Sequence, residues 1–112
     1  MKEIKAYIRP EKADKVISEL ELAGAKGMTI INVAILGKWA DPKKSIISLE
    51  YCDKYCSSVK IELVCTEDNA EKFIKIIEKK AHTGQRGDGK IFISNISEAV
   101  SIRTGERGSA AL

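Results

Sequence analysis

Residues 2–9 alternate in polarity. Ile4, Ala6 and Ile8 fall on one side of an extended chain and Glu3, Lys5 and Tyr7 on the other, the period of a half-buried strand. Pro10 closes the run and suits the first turn of a helix. The period then lengthens. Val16, Ile17, Leu20 and Ala23 recur at helical spacing among Lys12, Lys15, Glu19 and Glu21, which predicts a helix over 11–23 with Gly24 as its stop. Residues 28–36 are an apolar, β-branched run ended by Gly37, a second strand. The cycle then recurs. Val59, Ile61 and Leu63 alternate over 59–65, Ala70, Phe73, Ile74, Ile77 and Ala81 mark a helix over 68–81, and 90–96 read as a fourth strand. The segment 98–112 carries a short β-prone piece at Val100–Ile102 and is expected to be a loosely held arm.

The two cycles are copies of each other. At an offset of 57 residues, Ile4 falls on Ile61, Ala13 on Ala70, Asp14 on Glu71, Lys15 on Lys72, Ile17 on Ile74 and Gly27 on Gly84, without a gap. Two β-α-β units in one chain predict an α+β, ferredoxin-like fold, the split β-α-β arrangement. The repeat also exposes what is extra. After Gly27 the first unit enters its strand at once, whereas after Gly84 the second spends five more residues, Gln85 to Gly89, before Lys90. A second excess, residues 38–58, joins strand two to strand three with far more chain than a hairpin needs, with turn chemistry at Asp41-Pro42. Connections of that length are functional or disordered more often than structural.

The chemistry gathers in the first of these insertions. Thr83-Gly84-Gln85-Arg86-Gly87-Asp88-Gly89-Lys90 sets three glycines beside an Arg and a Lys, directly before a strand. Glycines let backbone N–H groups approach a ligand, and such amides with cations beside them suit phosphate oxygens. Because the first unit makes the same connection without these residues, the loop reads as a binding element rather than a bare turn.

Composition narrows the classes. The 112 residues form a single domain, and a formal charge of +3 is too mild to suggest a duplex-binding face. No apolar run approaches the roughly 20 residues of a membrane span. The charged, alternating start is unlike a signal peptide, so a cytoplasmic protein with no membrane insertion is expected. Three cysteines, an odd number, are expected as free thiols, with Cys65 a small buried hydrophobe. Cys52 and Cys56 are four apart and would share a face on a helical turn, which leaves a redox-responsive pair open as an alternative. A small nucleotide-hydrolysing enzyme needs a base near the loop, for which Asp88 and His82 are the local candidates. Lys90 is followed by Ile91, so no Gly-x4-Gly-Lys-Ser/Thr phosphate loop is present. An RNA-recognition module on the same topology would need a stacking motif on its central strands, which Tyr7 and Phe92 do not make. No catalytic residues, no metal site and no nucleic-acid partner are expected.

The chain resembles the PII signal-transduction proteins along its whole length. The likeness is densest in Thr83-Gly84-x-x-Gly87-Asp88-Gly89-Lys90-Ile91-Phe92, Gly27-Met28-Thr29, Glu50-Tyr51, Val59-Lys60-Ile61-Glu62 and Ile102-Arg103-Thr104-Gly105-Glu106. The resemblance implies a homotrimer that binds ATP or ADP in clefts between subunits. It implies no enzymatic task, but regulation of a protein target, such as an ammonium transporter or a metabolic enzyme of nitrogen or related metabolism. By position, 1–112 would be one such domain, with 38–57 the long T-loop, 82–89 the B-loop and 98–112 the C-loop. Gly87, Asp88, Gly89 and Lys90 would hold phosphates from one subunit and Arg103 would reach the same nucleotide from its neighbour. Thr29, Gly37 and Val64 would line the adenine and ribose side, with Glu62 nearby and Lys38 at the opening of the T-loop. Tyr51 matches a tyrosine that some members have uridylylated.

Several positions depart from the family pattern. Lys38 replaces an Arg and loses its bidentate fork. Trp39 stands where a Gln helps hold Mg²⁺ and 2-oxoglutarate, and offers no oxygen ligand. As the sole Trp beside a loop, it also reads as a cap on the sheet edge. Ser58 replaces a Lys that pairs with a 2-oxoglutarate carboxylate, and Ser101 an Arg of the C-loop. With two cations lost, ADP or AMP is expected to be accommodated more readily than Mg-ATP, and the 2-oxoglutarate response to be weak or absent.

Overall fold

The structure, a computed structural model, describes residues 1–48 and 53–112. Its elements run β1 (Lys2–Ile8), a 3-10 turn (Pro10–Lys12), α1 (Ala13–Leu22), β2 (Thr29–Leu36), β3 (Ile46–Ser48), β4 (Asp53–Cys65), α2 (Glu67–Ala81), β5 (Gly89–Asn95) and a closing 3-10 turn (Gly108–Ala111). The four long strands form an antiparallel sheet in the order β2-β4-β1-β5, with β3 added beside β4. This is the ferredoxin-like arrangement that the repeat predicts.

The alternation seen in the sequence decides which face is covered. Ile4, Ala6 and Ile8 of β1 and Val59, Ile61, Leu63 and Cys65 of β4 are buried together with Val16 and Leu20 of α1 and Phe73 and Ile77 of α2. Val16 and Phe73, like Leu20 and Ile77, are 57 residues apart, so the two helices bury equivalent positions of the repeat. Acidic Glu67 and Asp68 open α2 and Lys79 and Lys80 close it, each matching the sign of the helix dipole. The register makes the internal symmetry explicit. Lys5 lies opposite Glu62, its own counterpart at the 57-residue offset, so an approximate two-fold axis passes between β1 and β4 there.

Three sequence expectations change. Counted in register, Thr29 opposite Glu62 corresponds to Phe92 opposite Lys5, so the second unit's excess is six residues rather than five. The third strand begins at Asp53, not Val59, because β2 is long enough to pair residues 55–58 and β3 adds to the same edge. The base of the long connection is therefore a ribbon continuous with the sheet. The C-terminal segment is not a loose arm either. Val100 bridges Arg107, and the amide of Gly105 donates to the carbonyl of Ser101 at 2.8 Å. Ser109 and Leu112 line one cavity with Gly24–Gly27 and Phe73. Among the described residues no helix is long and apolar enough to cross a membrane.

Candidate functional site

The Gly-rich loop is built around one carboxylate. Asp88 accepts the backbone N–H of Thr83 and of Gly84, both at 2.8 Å, and the Thr83 hydroxyl, which folds 83–88 back on itself. Gly84, Gly87 and Gly89 all hold positive φ, the left-handed region that L-residues avoid. Gly89 also opens β5 opposite Ile8, where a Cβ would lie 1.7 Å from the carbonyl oxygen of Tyr7. Lys90 follows, exposed, opposite Tyr7. The fold thus leaves this cation in solvent directly beside the loop's glycines.

Asp88 is engaged by the loop's own donors and by Arg9. A carboxylate that already gathers two amides, a hydroxyl and a guanidinium is the brace of the loop, and its charge would repel a phosphate. What the loop offers an anion is its backbone and Lys90. Burial pushes Asp88 up, but the Thr83 hydroxyl, the Thr83 and Gly84 amides and Arg9 outweigh it and hold the group far below the carboxylate range.

Arg9 was not singled out by the sequence, yet its guanidinium is among the few buried charges. Its Nε donates to Asp88 at 3.0 Å, its Nη2 to the carbonyl of Arg86 at 3.1 Å and its Nη1 to Asp41. Asp41, read as turn chemistry from the Asp-Pro step, is buried as well. It accepts the N–H of Lys43 at 2.9 Å, and its own N–H donates to the thiol sulfur of Cys56 at 3.3 Å. Hydrogen bonding from Arg9, then from the Lys43 amide, lowers its pKa. The only advance signal was a lone Arg closing an alternating strand. Nothing local marks it for burial, because both carboxylate partners arrive from distant chain.

Both depressed carboxylates carry a pH consequence. Their folded pKa values lie below the unfolded value of about 3.9, so their contribution is complete above that pH and is lost as pH falls through the folded values. Trp39 emission, which reports on the segment next to Asp41, should stay flat from pH 8 to pH 5 and change only below about pH 4. A transition near neutrality would contradict this assignment.

The remaining candidates fall into two groups at opposite ends of the sheet. Gly37 and Lys38 follow the end of β2, and the Lys38 carbonyl accepts Nε of Arg86 at 2.9 Å, so they join the Gly-rich loop. Thr29, Glu62 and Val64 line a shallow depression at the other end, next to Gly27. Ile96, which leads into the C-terminal segment, donates its N–H to the Met1 carbonyl at 3.0 Å, so Arg103 extends from that second end. Thr29 and Leu36 bound an extended strand of eight residues, about 23 Å at roughly 3.3 Å per step. Gly37 therefore does not sit with Thr29 and Val64 within one chain. Glu62 forms an ion pair with Lys60 at 2.8 Å, which lowers its pKa.

The departures from the family pattern have structural occupations. Trp39 packs edge-on against Tyr7 and Phe92, with ring centroids at 5.4 and 6.3 Å, on the sheet face away from the helices. Ser58 is buried and donates its hydroxyl to the Ile8 carbonyl at 2.8 Å. Cys56 is a free, buried thiol within β4. Cys65 is free and buried as expected, and burial pushes its thiol up. Cys52 and Tyr51 lie outside the described residues.

Known proteins match this chain from end to end. A family model described as nitrogen regulatory protein P-II matches residues 1–106. Nitrogen regulatory protein P-II 2 of Methanothermobacter thermautotrophicus is 43% identical over 112 residues, which cover all of this chain and 97% of that protein. The nitrogen regulatory protein P-II of Mesorhizobium japonicum is 43% identical and that of Rhizobium meliloti 39%, each over the whole of both chains. With the repeat, the strand order and the Gly-rich loop in agreement, the chain belongs to the P-II nitrogen regulatory protein family.

Proposed function

We propose that this regulatory protein binds adenine nucleotides at the seams of a homotrimer and acts on a partner protein through the segment 38–57. The observation that carries the reading is the separation of the candidate residues into two groups at opposite ends of the sheet. Gly37, Lys38, Gly87, Gly89 and Lys90 make a phosphate half-site, and Thr29, Glu62, Val64 and Arg103 a half-site for the rest of the nucleotide. One chain cannot close these on a single ligand, whereas two neighbours apposed end to end can. The phosphates then meet backbone amides and Lys90 of one subunit and the forked guanidinium of Arg103 from the next. Binding is the proposed task; of the two local candidates for a base, Asp88 is engaged by four donors, and His82 is exposed with Nδ1 3.8 Å from Asp88. The partner is of the class that P-II regulators serve, an ammonium transporter or a metabolic enzyme.

The donor set does not fit a bound Mg²⁺. Trp39 supplies no oxygen, and the two nearby carboxylates, Asp41 and Asp88, are held by Arg9 and by loop donors. The same residues disfavour 2-oxoglutarate, because Ser58 has no charge and is turned to the Ile8 carbonyl. Calorimetric titration with ATP, ADP and AMP, with and without Mg²⁺ and 2-oxoglutarate, tests the reading alongside light scattering for the trimer. ADP or AMP should bind at least as tightly as Mg-ATP, and 2-oxoglutarate should change neither affinity. A monomer indifferent to all three nucleotides would overturn the reading, and a strong 2-oxoglutarate effect would overturn the part that rests on Trp39 and Ser58.

A further inference from the structure

Arg9 joins two loops that are far apart in the chain. One guanidinium donates to Asp41 in the segment that follows β2, and to both Asp88 and the Arg86 carbonyl in the Gly-rich loop. Each carboxylate is in turn the organiser of its own loop. Asp88 gathers Thr83 and Gly84, and Asp41 gathers Lys43, while its carbonyl accepts the Ser45 hydroxyl at 2.7 Å. The loops also touch directly. A Cβ on Gly87 would lie 2.6 Å from Cβ and 2.7 Å from Cα of Asp41, so the glycine is needed for backbone to pass against that residue. Arg86 reaches the Lys38 carbonyl as well.

These contacts have a shared physical consequence. A buried guanidinium cannot lose one carboxylate cheaply, because the other partner does not replace the missing charge. The two loops therefore share a stabilising interaction that neither keeps if the other moves. A ligand or partner that prefers one arrangement of either loop biases both.

We propose that Arg9 is a positioning residue that clasps the phosphate-side loop 83–88 to the base of the effector segment 38–45, so that displacement of one loosens the other. The clasp is a property of the free protein, and it stands or falls separately from nucleotide binding.

Each loop carries its own reporter. Trp39 is the sole tryptophan and lies two residues before Asp41. The amides of Thr83 and Gly84 are held by Asp88. The test substitutes on one loop and reads the other, without ligand. Asp41→Ala should speed hydrogen exchange at Thr83 and Gly84 about tenfold, with Asp41→Asn giving a smaller effect in the same direction. Thr83→Ala, which frees Asp88 of one donor without touching Arg9, should raise acrylamide quenching of Trp39. Arg9→Lys should do both, since an ammonium cannot span three acceptors in this fork. If each substitution loosens its own loop and leaves the other unchanged in a protein that circular dichroism shows to be folded, the clasp is refuted. Should Asp41→Ala fail to fold, Asp41→Asn and Thr83→Ala decide the question on the same readouts.

Discussion

Gly89→Ala should be the most damaging single-methyl change in this chain. Its Cβ would stand 1.7 Å from the Tyr7 carbonyl oxygen and 2.8 Å from the Tyr7 carbonyl carbon, both backbone atoms of a central strand. Neither can swing aside as a side-chain tip would. The residue also holds φ at 107°, where an alanine is strained by about 1–3 kcal/mol. Forced overpacking adds a further 1–3 kcal/mol or so. We expect a loss of about 3–5 kcal/mol, read as a lower urea midpoint with an unchanged slope. The first pairs of β5 with β1 should open, and the Gly-rich loop should lose its seat. A variant as stable as the parent would mean that β5 does not enter the sheet at this residue.

Lys90→Ala should separate binding from stability. Lys90 is exposed, and among the described residues it has no ion-pair partner, so its truncation should move stability by no more than about 0.5 kcal/mol. Its role in the proposed site is to neutralise a phosphate. A hydrogen bond to a charged group is worth about 1.5–3 kcal/mol, which corresponds to roughly 10–150-fold in affinity for ADP. Lys90→Arg should keep most of that affinity, because the charge remains. Unchanged ADP binding in Lys90→Ala, measured by calorimetry on protein with an unaltered urea midpoint, would remove this residue from the site.

The two predictions draw on different kinds of information. Lys90 could be picked out in the sequence because chemistry at a loop is local: glycines, a cation and a following strand lie within a few residues. The helix-and-strand periods were legible for the same reason. Burial on one face leaves a period of two or of about 3.6, and a duplicated unit writes that pattern twice. Where the sequence reading fell short, the cause was mostly distant chain. β4 starts six residues earlier than its alternation suggests because a neighbouring strand happens to extend alongside it. The C-terminal segment is ordered by its own bridge, Val100 to Arg107, and by the Gly108 amide on the Ala99 carbonyl. Arg9 reaches Asp88 from distant chain, beside the local donors Thr83 and Gly84.

Alternation and duplication in the sequence alone determined the ferredoxin-like fold, and the likeness of its motifs pointed to the family. Those features are encoded by neighbours a few residues apart, through the pleat of a strand, the turn of a helix and the freedom of glycine. The tertiary structure alone decided that Arg9 is buried between Asp41 and Asp88, and that Gly37 and Thr29 belong to opposite ends of the sheet. The reason is that an ion pair and a sheet register are properties of segments which meet only after the chain has closed, and no local pattern records which carboxylate a guanidinium will find.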